Sequence, residues 1–209
     1  PFCAPKRYWD LYDRSEIQVP SLEDWPQGAP ECAGSNWGEL RQYEGIPSQG
    51  PVSEAQAKQL IHGYFACVSY VDALVGSLLD ELDALGLAGN TIVVLWGDHG
   101  YKLGDYDNWN KWSNLAIDTR VPLIVRAPGF QGGRQSDALV ELIDIYPTLS
   151  ELGGLDVPRI SGIERQSRHL VLGDADSDGD LDLAEVAGPD QRFPSASKKL
   201  FAFASGLPS

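Results

Sequence analysis

A chain of 209 residues has room for one well-buried core, or for one core and a small appendage. Its 43% hydrophobic and 10% aromatic content is that of a globular protein and excludes a disordered one. A net charge of −14 argues against a nucleic-acid partner, because phosphate backbones are held by an excess of Lys and Arg.

The chain opens on Pro1 and contains no Met, which points to a piece of a longer product. The start has no signal-like n-region and h-region, and in a piece that carries no information on targeting. No apolar run reaches the roughly 18 residues of a transmembrane helix, so no membrane span is predicted. Cys3, Cys32 and Cys67 have no CxxC or zinc spacing; a Cys3 to Cys32 disulfide is open to the chain, with Cys67 buried on a helix.

Residues 1–51 are rich in Pro, Gly, Trp and Tyr without a period of 3.6 or 2, and read as an irregular, aromatic-pinned segment packed on a larger body. Ser53 then opens a helix, with Gln56 completing a capping box. Ala57, Leu60, Ile61, Tyr64, Val68, Val71, Val75, Leu78 and Leu82 form its apolar stripe, and Gly86 suits the left-handed position after its end.

Residues 91–96 (TIVVLW) are apolar without alternation, which predicts a strand buried on both faces of a parallel sheet. Gly97 ends that strand and places Asp98 and His99 at its carboxyl end, where loops of an open α/β sheet leave a crevice. Asp offers a hard oxygen and neutral His a nitrogen, so neighbours on a tight turn can both reach one divalent cation. Lys111 follows twelve positions after His99, inside NWNKWSN. A cation beside a metal site is what a doubly charged oxyanion ester needs for its transition state.

Residues 121–126 (VPLIVR) predict a second strand, with Pro122 at its start where a missing N–H is tolerated. Gly132 and Gly133 mark a turn, and Ser136 is expected to begin a helix through Leu149 that Pro147 can kink or divide. Gly153 and Gly154 end it. Beyond Pro158 the composition turns polar and then acidic.

The acidic block DADSDGDLDLAE at residues 174–185 reproduces an EF-hand calcium loop. Asp174, Asp176 and Asp178 fill positions one, three and five, Gly179 allows the sharp turn at six, Asp180 offers its backbone carbonyl at seven, Asp182 stands at nine and Glu185 closes the site at twelve. No paired second loop is present, which suits a structural staple better than a calcium sensor.

Several stretches together carry a resemblance: PFCAPKRYWDLY at 1–12, YFACVSYVDALVGSLLDELDALGL at 64–87, NTIVVLWGDHGYKLGDYDNWNKWSN at 90–114, VPLIVRAPG at 121–129 and ALVELIDIYPTLSELGGLDVP at 138–158. The chain resembles the sulfatase family, most closely its iduronate-2-sulfatase branch, over residues 1–158 and in family order. The resemblance implies an α/β, alkaline-phosphatase-like fold, present in part, and hydrolysis of sulfate esters on an acidic or sulfated polysaccharide at a calcium site. It maps calcium ligation onto Asp98 and His99, and binding of the substrate sulfate onto Lys111. Gly97 and Tyr101 depart from a Ser and a Trp expected in the animal enzymes.

The family's nucleophile is a formylglycine made within a C/S-x-P-S/A-R signature. The run Cys3-Ala4-Pro5-Lys6-Arg7 does not supply it, because Lys6 replaces the small residue and the stretch aligns well downstream of the nucleophile. The formylglycine is therefore expected upstream, and no catalytic nucleophile is assigned on this chain. The expected organisation is a partial sulfatase domain at 1–158, a linker at 159–173, the EF-hand calcium loop at 174–185 within a segment of about 162–193, and a tail at 194–209. Family habit and a calcium loop that needs millimolar calcium if weak suggest secretion, a periplasm or a lysosome-like lumen. The rival readings are a phosphoester or phosphonate hydrolase of the same superfamily and a non-catalytic, calcium-stabilised binding module.

Overall fold

The computed structural model describes residues 2–20, 25–30, 33, 38–130, 132–133, 135–136 and 138–156. The EF-hand-like loop at 174–185, the linker and the tail lie outside the described residues. In chain order the helices and strands are α1 (Lys6–Trp9), α2 (Glu54–Ala84), β1 (Val93–Trp96), α3 (Ala116–Thr119), β2 (Leu123–Arg126) and α4 (Ile145–Leu152), with short 3-10 turns between them. They group into two units, Pro1–Ser77 with Asp98–Arg120, and Leu78–Gly97 with Val121–Ser209.

Helix α2 begins as its capping box dictates. Ser53 Oγ accepts the Gln56 N–H at 3.3 Å, and Gln56 Oε1 accepts the Ser53 N–H at 3.2 Å, so two amides without helical partners are satisfied reciprocally. The helix ends in a Schellman motif: the Leu87 N–H reaches the Leu82 carbonyl and the Gly86 N–H the Asp83 carbonyl, with Gly86 at φ +68°. Its apolar stripe is buried in the first half, at Ala57, Leu60 and Ile61, whereas Val71 and Leu78 further along are exposed.

The core of the first unit joins Ile17, Leu40, Ala57, Leu60, Ile61, Phe65, Leu103 and Trp109. The irregular N-terminal segment is pinned to it by rings, as its composition predicts. Phe2 packs edge-on against Tyr64 and Tyr101, with ring centroids 5.3 and 5.6 Å apart, and Tyr12 Oη bonds Ser69 Oγ at 2.6 Å. Gly63 permits this approach, since a Cβ there would stand 3.0 Å from Phe2 Cβ and 3.1 Å from the Trp9 ring. His62, buried beside Trp9, accepts from Arg14 Nε at Nδ1 (3.2 Å) and so donates from Nε2 to the Trp9 carbonyl (2.8 Å).

In the second unit the two strands correct the parallel expectation: β1 and β2 run antiparallel, in a register pairing Val93 with Arg126 and Trp96 with Leu123. An unalternating apolar run reports burial, not strand direction, and here Val93 to Leu95 are half-buried while Trp96 is exposed. Leu123, Val94, Val125, Val140 and Ile145 form this unit's core, and Arg126 at the end of β2 pairs with Asp83 of α2 at 3.1 Å. Helix α4 also begins later than expected, at Ile145 and not at Ser136. Glu141 and Asp144 form a reciprocal cap around the 3-10 turn Leu142–Asp144 ahead of it. Pro147 then falls in the first turn of α4, where its missing N–H has no helical acceptor to lose. Gly154, at φ +69°, closes the helix as Gly86 closes α2. Among the described residues no helix is long and apolar enough to cross a membrane.

Candidate functional site

Two residues beyond β1 the chain turns sharply through Asp98, His99 and Gly100. Asp98 Oδ1 accepts the N–H of the next residue, His99, at 3.0 Å, which folds the carboxylate back over the turn. His99 Nδ1 lies 2.8 Å from the Gly100 carbonyl, and since a carbonyl only accepts, Nδ1 carries the hydrogen. The Nε2 lone pair of the neutral ring is therefore the free one, and it faces Asp98 Oδ2 at 3.4 Å.

Two acceptors this close repel unless a positive charge joins them, and either a proton on Nε2 or a cation does so. The 3.4 Å separation is short enough for both atoms to reach one calcium ion. The Asp98 side chain is 84% exposed and that of His99 39%, so an ion has access. Among the described residues no cluster of three or more His, Cys, Asp or Glu surrounds one point. The pair thus fits a cation as part of a ligand set, not as a whole one.

Gly100 is required by packing. A Cβ there would lie 1.9 Å from the Ile117 carbonyl oxygen, because the turn rests on α3 and donates the Gly100 N–H to the Asp118 carbonyl at 2.7 Å. From the turn the chain enters a tight loop held by two cross-chain bonds, Lys102 N–H to Asn110 carbonyl and Gly104 N–H to Asn108 carbonyl, both 2.9 Å. At its tip Tyr106 and Asp107 adopt left-handed backbone at φ +55° and +51°, each costing about 1 kcal/mol or more. Asp105 and Asn108 hold that tip: the buried Asp105 carboxylate accepts the Leu103 N–H, and Asn108 Nδ2 donates to the Tyr106 carbonyl at 2.6 Å.

The loop returns through Trp109, which is buried, to Lys111. The Tyr101 hydroxyl donates to the Trp109 carbonyl at 3.2 Å, and burial, reinforced by the nearby Glu39 carboxylate, pushes that phenol well above its ordinary range. Lys111 Nζ stands 3.5 Å from Glu39 Oε2, itself a buried oxygen without a hydrogen-bond partner among the described residues. The structure therefore brings Asp98 and His99 together and gives Lys111 an ion-pair partner that the sequence did not suggest.

Two further buried groups escaped the sequence reading. Lys102 and Asp118 form an ion pair whose side chains are both 1% exposed, with Ser113 Oγ bonded to both. The only sequence signal was a charge set in each of two otherwise apolar or tightly turning runs, YKL and AID. Cys3 is an exposed thiol whose candidate partner Cys32 lies outside the described residues, while burial pushes the half-buried Cys67 thiol up. A cleft of about 470 Å³ between Phe2, Trp9, Tyr43, Glu44 and Gln56 shares no residue with the turn or with Lys111.

Comparison with known proteins gives one consistent result. The profile of the Sulfatase family matches residues 6–155. The chain is similar to iduronate 2-sulfatase of Homo sapiens, 35% identical over 189 residues, covering 76% of this chain and 34% of that protein. It is also 36% identical over 156 residues to a sulfatase of Formosa agariphila, covering 74% of this chain and 30% of the relative. Among solved structures it is similar to a phosphonate monoester hydrolase from Silicibacter pomeroyi, with a TM-score of 0.65 at 26% identity over 81% of this chain and 34% of that one. The chain spans about a third of the length of these relatives. The fold is thus the α/β, alkaline-phosphatase-like one, present in part.

Proposed function

Because this chain belongs to the sulfatase family, we propose that it carries part of a calcium site at which sulfate esters are hydrolysed. The observation that carries the reading is the pair of acceptors, Asp98 Oδ2 and His99 Nε2, held 3.4 Å apart on an exposed turn by backbone bonds on their other atoms. A calcium ion bound there supplies positive charge to the oxygens of the ester group. Asp98 and His99 contribute ligands, and the Gly100 carbonyl fixes the His99 tautomer that leaves Nε2 to ligate. Lys111 meets the sulfate as a point charge, giving up its 3.5 Å contact with Glu39 or sharing it. The nucleophile, a formylglycine in this family, is not assigned to any residue of this chain.

The substrate class that fits the relatives' names is a sulfated glycan, with an iduronate 2-sulfate as the specific candidate. The acidic loop at 174–185 is proposed as a second, structural calcium site, and a weak loop of this kind suits a calcium-rich secreted, periplasmic or lysosome-like setting.

The likeness to a phosphonate monoester hydrolase supports a second reading, hydrolysis of a phosphoester or phosphonate at the same turn. Both are tested in a complete sulfatase domain that includes residues 1–158 and a formylglycine. Calcium-dependent cleavage of an aryl sulfate, lost in Asp98→Asn, supports the first. Zinc- or manganese-dependent cleavage of an aryl phosphate, with no sulfate hydrolysis, overturns it in favour of the second. Calcium affinity of the Asp98→Asn and His99→Ala variants, read by calorimetry, tests the ligand assignment apart from turnover.

A further inference from the structure

The Lys102–Asp118 ion pair lies directly behind the Asp98 to Gly100 turn, in the same unit, and each partner also uses its backbone there. The Asp118 carbonyl accepts the Gly100 N–H at 2.7 Å, one residue after His99. The Lys102 N–H donates to the Asn110 carbonyl at 2.9 Å, one residue before Lys111. The side chains close the frame: Lys102 Nζ meets Asp118 Oδ2, Ser113 Oγ donates to that same oxygen, and Lys102 Nζ reaches Ser113 Oγ at 3.2 Å. The Leu115 N–H donates to Ser113 Oγ at 3.2 Å, which fixes the hydroxyl at the approach to α3.

Stability does not explain this frame. Both side chains are 1% exposed, and taking two charges out of water costs about as much as their attraction returns, so an apolar pair of similar volume would hold the fold as well. Asp118 Oδ1 is in addition buried without a hydrogen-bond partner among the described residues, a further cost. What an apolar pair lacks is direction. Charge-assisted hydrogen bonds fix orientation as well as distance, and here they fix the turn bearing Asp98 and His99 relative to the run bearing Lys111.

We infer that Lys102 and Asp118 are positioning residues that set the geometry of Asp98 and His99 against Lys111, with Ser113 as the bridging hydroxyl. They touch neither cation nor substrate, and the inference rests on the site reading proposed above. Groups that orient ligands from behind typically change metal affinity or activity by about 10- to 100-fold when removed.

The test uses Lys102→Met, Asp118→Asn and the double variant, since each single change strands one buried charge and the double strands neither. In a complete sulfatase domain the double variant is expected to regain a thermal midpoint near the parent's while kcat stays at least about tenfold down and KM moves less. A double variant with parental stability and parental kcat overturns the inference, because the pair then only fills space. On the 209-residue chain itself, amide exchange at Gly100 and Lys102 is expected to quicken in the double variant while the first half of α2 keeps its protection. Unchanged exchange at both amides also overturns it. Loss of the site reading is seen separately: if Asp98→Asn and Lys111→Ala leave sulfate hydrolysis intact, that reading fails whatever the exchange data give.

Discussion

Gly100 and Ile117 are in backbone contact so close that no side chain fits between them, a Cβ on Gly100 falling 1.9 Å from the Ile117 carbonyl oxygen. The obstacle is backbone, not the end of a flexible side chain, so relief requires moving the turn or α3. Gly100→Ala should therefore destabilise the chain by at least about 2 kcal/mol, in the upper part of the overpacking range. Gly89→Ala, with nothing among the described residues within 4 Å, is the matched control. Urea midpoints of the two variants check this; equal midpoints would show that the turn yields freely.

Ser53 and Gly86 bracket α2, and both ends were legible because capping is local chemistry: a hydroxyl, an amide three residues on, and a residue free to take positive φ. Ser53→Ala should cost about 1 kcal/mol through loss of the cap, and Gly86→Ala a similar amount through its φ of +68°. Thermal unfolding of the two single variants and the double checks this. The sites lie at opposite ends of one helix and share no partner, so the effects should add.

Where the sequence misled, the missing information was non-local. The direction of β1 depends on a partner some thirty residues away, and TIVVLW reads the same in either sense. Ahead of α4 the chain forms the 3-10 turn Leu142–Asp144 inside a reciprocal Glu141–Asp144 cap, which the apolar spacing from Ser136 onward did not reveal. The turn carrying Asp98 and His99 was legible as a turn because a strand end and a glycine are contiguous with it. Glu39 behind Lys111, and Asp118 behind Lys102, could not be read, since pairs 72 and 16 residues apart share no periodicity.

Burial raises the Tyr64, Tyr101 and Cys67 groups above their ordinary values, so each keeps its proton to higher pH when folded than when unfolded. The folded state then binds more protons in alkali, and by linkage stability falls as pH rises. The stabilisation is fully present below the unfolded values, near 9 for the thiol and 10 for the phenols, and is lost above them. Stability should therefore decline from about pH 9 upward. Tyr64→Phe and Cys67→Ala should flatten that decline without altering the neutral-pH slope, as denaturant titrations between pH 7 and 11 would report.

Lys111 carries the proposed sulfate contact and also neutralises Glu39, so its removal has two effects to separate. In a complete sulfatase domain Lys111→Ala should lower kcat/KM by roughly 100-fold, about 3 kcal/mol of transition-state stabilisation. Part of any stability loss would come from Glu39 Oε2, left buried without its cation. Lys111→Ala combined with Glu39→Gln should recover stability but not activity. Turnover near that of the parent in Lys111→Ala would remove Lys111 from the site.

The acidic loop at 174–185 lies outside the described residues, and its EF-hand spacing is a property of the sequence. Asp174, Asp176, Asp178, Asp180, Asp182 and Glu185 set six carboxylates within twelve residues, and without a cation their mutual repulsion favours an open chain. Calcium bound to the ordered form stabilises it by mass action, by an amount set by the ratio of calcium concentration to dissociation constant. Glu185 is the most informative position, because the twelfth residue of such a loop ligates with both oxygens. Glu185→Gln should therefore weaken calcium binding at the loop while leaving the Asp98 and His99 turn unaffected. Calorimetric titration of the 209-residue chain, wild type against Glu185→Gln, reads the difference, and millimolar affinity in the wild type is sufficient. A wild type with no saturable calcium heat that Glu185→Gln removes would leave the block as a solvated acidic linker.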